Sequence, residues 1–208
     1  MMAQRPVQPA CLKGFEHINR YWDRLSGRWA AKLMPGEFYV TSDPKEIIAT
    51  TLGSCVSACI RDRTSGIGGM NHFMLPLSNN SSSQWLSVET RYGSHAMEHL
   101  INEIIKLGAR RENLEVKLTG GGKVVKNMSD VGQRNIDFVL EYVRLESLDV
   151  VALDLGDVHP RKVIYHPQTG QMRVKRLRSM HNDTLIVREA NYVNALTTQP
   201  QTGEVELF

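Results

Sequence analysis

The residues most able to do chemistry lie in two short runs. In Thr50-Thr51-Leu52-Gly53-Ser54-Cys55-Val56-Ser57-Ala58-Cys59-Ile60 a thiol, Cys55, directly follows two of the smallest residues. Small side chains before a nucleophile leave backbone amides open to a substrate, as an oxyanion hole requires. In Met70-Asn71-His72-Phe73-Met74-Leu75 an imidazole occupies a place where an apolar residue would fit the pattern, and a polar group there needs a reason. A thiol and an imidazole within reach of each other form a thiolate–imidazolium pair able to attack a carbonyl carbon near neutral pH. A hairpin turning symmetrically between Arg63 and Thr64 would set Cys55 directly opposite His72, with Cβ atoms about 4.5–5.5 Å apart. A slip of one residue would send them to opposite faces. On the residues alone, a buried inert thiol and a satisfied core histidine stay open as the alternative. Cys59, with no flanking glycine, is expected to pack in the core.

The elements that must position this pair follow from periodicity. Glu46 to Pro76 is β-branched, small and apolar with Gly-rich punctuation, and reads as two strands joined at Asp62-Arg63-Thr64-Ser65-Gly66. The polar run Leu77 to Gln84 reads as a surface loop. Met97, Leu100, Ile101, Ile104 and Ile105 recur at helical spacing between Gly93 and Gly108. Leu114, Val116 and Leu118 alternate with polar residues as in a half-buried strand that runs into Gly120-Gly121-Gly122, and a second helix is expected from about Gln133 to Leu145. Three further strands are expected at Asp149 to Leu153, Arg161 to Tyr165 and Gln171 to Leu177, the last two joined by the turn His166-Pro167-Gln168-Thr169-Gly170. Strands and helices mixed in this way, with hairpins, favour an α/β layered sandwich with mixed β-sheets and flanking helices over a purely parallel doubly wound fold.

Residues 1–34 read as an N-terminal extension, partly helical or flexible: Phe15, Ile18, Trp22, Leu25 and Trp29 recur at three- and four-residue steps, as along one helical seam. Such a segment could dock on the protein's own core, on a partner helix or on a membrane surface. The central domain is then 35–180, with 181–208 as a C-terminal tail. Three cysteines among 208 residues are too few and too odd for a secreted disulfide framework. No apolar run is long enough to span a bilayer, and the first residues lack the apolar core of a signal peptide, so a cytoplasmic location without membrane insertion is expected. Twenty-five Lys and Arg against 22 Asp and Glu leave a net charge of +3, too small to imply nucleic-acid binding.

Three other patterns compete for attention. His95-Ala96-Met97-Glu98-His99 fits the H-x-x-E-H pattern of some zinc peptidases. With the apolar stripe centred on Met97 and Ile101, however, both histidines fall on the solvated face, a poor place for a shielded metal, and no metal site is expected. Gly120-Gly121-Gly122-Lys123 lacks the spacing of a phosphate-binding P-loop and suits close backbone packing or shaping of a cleft. Arg161, Lys162, Arg173, Lys175, Arg176 and Arg178 cluster on the late hairpin and read as a solvated face, with an acidic protein partner as the second reading.

Thr51-Leu52-Gly53-Ser54-Cys55-Val56 and Gly68-Gly69-Met70-Asn71-His72-Phe73-Met74-Leu75-Pro76 together resemble the CheD family of chemoreceptor glutamine deamidases. So do, in order, Tyr92-Gly93, Lys117 with Gly120-Gly121-Gly122, Gly132-Gln133-Arg134-Asn135 and Asp154-Leu155-Gly156, a likeness that covers about Pro35 to Arg178. The resemblance implies a cysteine hydrolase of the layered type shared with certain toxin deamidases. It would convert glutamine side chains of methyl-accepting chemotaxis receptors to glutamate without a cofactor. Cys55 would be the nucleophile and His72 the base, with an upstream threonine orienting the histidine. One family pattern puts that threonine at the position of Ala49; of the adjacent Thr50 and Thr51, Thr50 is assigned the role here, with Thr51 as the alternative. Gly156-Asp157 also departs from a Gly-Gly pair common in the family. A CheC-type phosphatase is the further partner implied, and a non-catalytic chemotaxis adaptor binding receptors or that phosphatase is the alternative function.

Overall fold

The structure is a computed structural model that describes residues 6–76, 88–124 and 131–177, together with Val187, Glu189, Asn191 and Tyr192. Among the described residues, ten strands form two five-stranded sheets. The first runs β1 (Asn19–Asp23), β2 (Arg28–Lys32), β4 (Glu46–Leu52), β9 (Arg161–His166), β10 (Gln171–Arg176). The second runs β3 (Phe38–Thr41), β6 (Gly68–Asn71), β5 (Val56–Asp62), β7 (Leu114–Gly120), β8 (Asp149–Leu155). Each sheet is mixed: β2 lies parallel to β4 and β7 parallel to β8, and every other pairing is antiparallel. The expected α/β layered architecture with mixed sheets is the one observed.

The two sheets share one core. Ile48, Leu52, Val163 and Tyr165 of the first are buried in the same cluster as Ala58, Ile60, Val116 and Leu118 of the second, and Cys59 Sγ meets Met172 Sδ at 3.9 Å between the layers. Two helices, α1 (Val88–Lys106) and α2 (Val131–Leu145), flank the second sheet. Asn71 on β6 donates to the Ala96 carbonyl of α1 at 3.2 Å, and Phe73 meets Phe138 of α2 edge-on, with ring centres 6.0 Å apart. The apolar stripe of α1 is buried as its spacing required, at Met97, Leu100, Ile101 and Ile104. The helix ends just before Gly108, which supplies a left-handed φ of 101°. The expected surface loop from Leu77 lies outside the described residues.

The helix expected over Phe15 to Trp29 is not formed. The segment is the antiparallel hairpin β1–β2, with Trp22 paired to Trp29 across it. Leu25, counted in the helical seam, is 98% exposed at the turn. Asp23 accepts the Ser26 hydroxyl at 2.6 Å and Gly27 adopts a φ of 62°, a local turn chemistry that outcompetes the helix. The hairpin docks on the protein's own core through Phe15, Ile18 and Ala31. An ion pair fixes it further: Arg20 Nη2 lies 2.7 Å from Glu46 Oε1, both side chains almost fully buried, while Glu46 Oε2 accepts the hydroxyls of Thr41 (2.6 Å) and Tyr39 (3.0 Å).

Glu46 to Asp62 is likewise not one strand. Gly53, Ser54 and Cys55 break it and carry the chain from the first sheet (β4) to the second (β5). The hairpin predicted from the sequence is β5–β6, and its turn is held by Asp62, whose Oδ1 accepts the amides of Thr64 (2.7 Å) and Ser65 (3.0 Å).

Candidate active site

Cys55 therefore sits at a crossing between layers. It and Cys59 are both fully buried. Val56 and Phe73 exchange backbone hydrogen bonds at 3.0 Å in each direction, so the β5–β6 register differs by two from a symmetric turn. Cys55 and His72 remain on one face but are diagonal neighbours around the Val56–Phe73 pair, about 7–8 Å apart at the backbone, instead of directly opposed. The extra residues of the Asp62–Ile67 turn cause the shift.

Thr50, on β4, reaches His72 from the other sheet: its Oγ1 lies 2.7 Å from His72 Nδ1. The same hydroxyl donates to the Leu33 carbonyl at 2.9 Å. A carbonyl can only accept and the hydroxyl has one proton, so Thr50 Oγ1 must accept from Nδ1–H. Neutral His72 then carries its proton on Nδ1 and the lone pair on Nε2. Ala49, at the position of the family threonine, is buried on the neighbouring strand position and offers no hydroxyl.

The Cys55 loop is cradled by glycines and one amide. Gly121 N–H donates to the Cys55 carbonyl and Gly122 N–H to the Gly53 carbonyl, both at 2.8 Å. At Gly120, with a φ of 119°, a Cβ would lie 2.2 Å from the Cys55 oxygen. The glycine run thus packs against the thiol's backbone. Asn135 on α2, fully buried, donates to the Ser54 carbonyl (2.9 Å) and accepts the Leu75 amide (2.8 Å), tying the Cys55 loop to the His72 segment. Beside it a cleft of about 290 Å³ is lined by Ser54, Gly121, Lys123, Gly132 and Val158.

Glu189 enters this site from the far end of the chain, accepting hydrogen bonds from the Gly53 and Ser54 amides at 2.8–3.1 Å and from the Ser54 hydroxyl at 2.8 Å. Burial first, then the charge of Glu189 and a hydrogen bond to it, push the Cys55 thiol well above its ordinary range, so the thiol is protonated at neutral pH in this state. Cys59, a candidate for core packing only, is also raised by burial.

The competing patterns find other places. His95 and His99 are exposed and stack on each other with ring centres 4.0 Å apart; among the described residues no three metal-binding side chains converge. Lys162, Arg173 and Lys175 face solvent. Arg161 corrects the reading of that cluster, since it is fully buried and holds the Asp154–His159 loop through Asp154 at 3.2 Å and the carbonyls of Gly156 and His159. Arg178 lies outside the described residues. Asn135 was visible in the sequence only as part of a motif, and Glu189 had no local pattern to betray it.

Residues 74–176 match the family described as CheD chemotactic sensory transduction. The chain is 54% identical over 204 residues to a protein of Halorhodospira halophila named "Probable chemoreceptor glutamine deamidase CheD", covering 96% of this chain and 94% of that one. The chain belongs to the CheD family. Relatives of the same name in Hahella chejuensis (48% identical, covering 99% of both chains) and Janthinobacterium sp. strain Marseille (52% identical, covering 93% of this chain and 97% of that one) agree. The CheD family likeness thus extends through the β1–β2 hairpin, well before Pro35.

Proposed function

We propose that this CheD-family chain is a protein-glutamine deamidase acting on chemoreceptors, with Cys55 as nucleophile, His72 as general base and acid, and Thr50 as the residue that positions His72. The observation that carries the catalytic reading is the relay from the Leu33 carbonyl through Thr50 to His72 Nδ1, which makes Nε2 the basic nitrogen of neutral His72. Cys55 Sγ attacks the glutamine carboxamide carbon, and backbone amides of the Gly53–Cys55 turn hold the oxyanion. His72 gives the proton to departing ammonia, then activates water to cleave the thioester, leaving a carboxylate.

The catalytic unit on this reading is 35–180 together with the strand pair that precedes it, because Leu33, inside the segment 1–34, supplies the carbonyl that holds Thr50. A cytoplasmic site of action accords with the chemistry of a free thiol; among the described residues no helix is long and apolar enough to cross a membrane. A CheC-type phosphatase is the further partner, and kinship with toxin deamidases the further fold relation, that the family resemblance suggests.

Ammonia release from receptor fragments, with the mass gain of amide-to-acid conversion at a glutamine, tests the reaction. Cys55→Ala abolishes it. A Cys55→Ala protein as active as the parent would sink the mechanism, and a parent that binds receptors without releasing ammonia would support an adaptor.

A further inference from the structure

The Glu189 carboxylate sits on groups that a substrate carboxamide would need. Oε1 accepts from Gly53 N–H (2.8 Å) and Ser54 N–H (3.1 Å), and Oε2 from Ser54 N–H (3.0 Å) and Ser54 Oγ–H (2.8 Å). Glu189 is only 3% exposed. A carboxylate drawn so far from water is stable only where donors replace its hydration, and here they come from the two residues just before the nucleophile. Gly53 makes the room: a Cβ there would lie 2.6 Å from Glu189 Oε1. The thiol is close enough to feel the charge of Glu189 and to donate a hydrogen bond to it.

A second anchor lies three residues on. Val187, Glu189, Asn191 and Tyr192 are helical, so Glu189 and Tyr192 share a face. The Tyr192 hydroxyl hydrogen-bonds that of Tyr92 on α1. Its ring covers Gly36, where a Cβ would lie 2.7 Å from the Tyr192 oxygen, and the Gly36 amide donates to the His72 carbonyl at 2.7 Å. The two side chains thus reach both halves of the site, one beside Cys55 and one beside His72.

A glutamate side chain is also the product of the reaction proposed above, differing from the substrate by oxygen in place of the amide nitrogen. We propose that Glu189 is a product-state ligand of the chain's own active site, seated on the Gly53 and Ser54 amides and the Ser54 hydroxyl with Tyr192 as its second anchor, and that a receptor glutamine must displace it to reach Cys55. The proposal rests on the deamidase reading. It gives Ser54 Oγ a binding role, since the hydroxyl that now donates to a carboxylate oxygen is placed to donate to a carboxamide oxygen.

Two substitutions in the full-length chain test it. If the site is open about a tenth of the time, Glu189→Ala raises the rate of Cys55 alkylation by iodoacetamide about ten-fold and lowers KM for receptor fragments by a similar factor. Glu189→Gln puts a carboxamide where the carboxylate was. Cys55 Sγ then bonds to its carbon, the C–N bond breaks, ammonia leaves with a proton from His72, and water cleaves the C–S bond to restore a carboxylate. Peptide mass analysis therefore finds glutamate at position 189 in E189Q, but unconverted carboxamide in the C55A/E189Q double variant, with thermal melting as the folding control. Alkylation of E189A no faster than the parent, or a carboxamide that persists in E189Q with Cys55 intact, overturns the proposal. Conversion at position 189 in a protein that leaves every receptor fragment untouched upholds it and overturns the receptor reading instead. Receptor deamidation by a parent whose E189A variant gains nothing has the opposite meaning.

Discussion

Thr50 Oγ1 and His72 Nδ1 lie 2.7 Å apart although Thr50 is on β4 of one sheet and His72 directly follows β6 of the other. With the Thr50 proton committed to the Leu33 carbonyl, the contact selects one tautomer of the imidazole. Thr50→Val keeps the shape and removes the acceptor. We expect kcat for receptor-fragment deamidation to fall about ten- to a hundred-fold with KM little changed, at the lower end of what a positioned base contributes. Thr50→Ser, which restores the hydroxyl, recovers most of the rate. A KM-dominated loss in the valine variant, or no rescue by serine, would remove Thr50 from the relay.

Asn135 joins the two halves of the site from a third element. Asn135→Ala leaves the Ser54 carbonyl and the Leu75 amide without their partner, at a cost of about 1–3 kcal/mol for each buried group left unsatisfied. Urea unfolding measures that loss, and Cys55 alkylation kinetics show whether the Cys55 loop has shifted with it. Asn135→Asp keeps the acceptor for Leu75 and loses the donor to Ser54, so its stability should fall between the two.

Much of this arrangement is legible in the sequence. The i, i+3, i+4 spacing of Met97, Leu100, Ile101 and Ile104 located α1, and the alternation at Leu114, Val116 and Leu118 located β7, because one-sided burial imposes those periods. Cys55 and His72 stood out as reactive types in apolar surroundings. What escaped depended on contacts between residues far apart in the chain. Spacing along Phe15 to Trp29 mimics a helical seam, and the Asp23–Gly27 turn together with pairing to β4 and the Arg20–Glu46 contact selects the hairpin. No local pattern could announce Glu189, whose partners Gly53 and Ser54 lie 136 and 135 residues earlier in the chain.

The hairpin assignment has its own test. Arg20→Met leaves Glu46 as a buried carboxylate facing two hydroxyls without its cation. Breaking a buried pair in this way costs about 3–5 kcal/mol, visible as a lower denaturation midpoint. Adding Glu46→Gln removes the stranded charge and should restore part of the loss. An Arg20→Met protein as stable as the parent would mean that β1–β2 contributes little to the fold.

Alkaline pH should weaken the molecule in a defined direction. Burial raises Cys55 and Cys59 above the ordinary thiol value of 9.0. Above that pH unfolded thiols ionise while the folded ones stay protonated. The unfolded state then binds fewer protons, and stability falls as pH rises. Tm followed from pH 8 to pH 11, limits of about one unit below and two above the free-thiol pKa, should decline, and Cys59→Ala should flatten part of that slope. A Tm independent of pH across this range would contradict the thiols' burial.

The crossing at Gly53-Ser54-Cys55 also bears on how the chain acquires reactivity. Thr50 precedes it in one layer and His72 lies beyond it in the other, so neither sheet alone holds the relay. During synthesis, or after partial unfolding, Cys55 is an ordinary thiol with no base aligned to take its proton. Only docking of the two layers completes the Thr50–His72 contact, so on the deamidase reading proposed above a misassembled copy has no positioned base and is silent towards the glutamines around it.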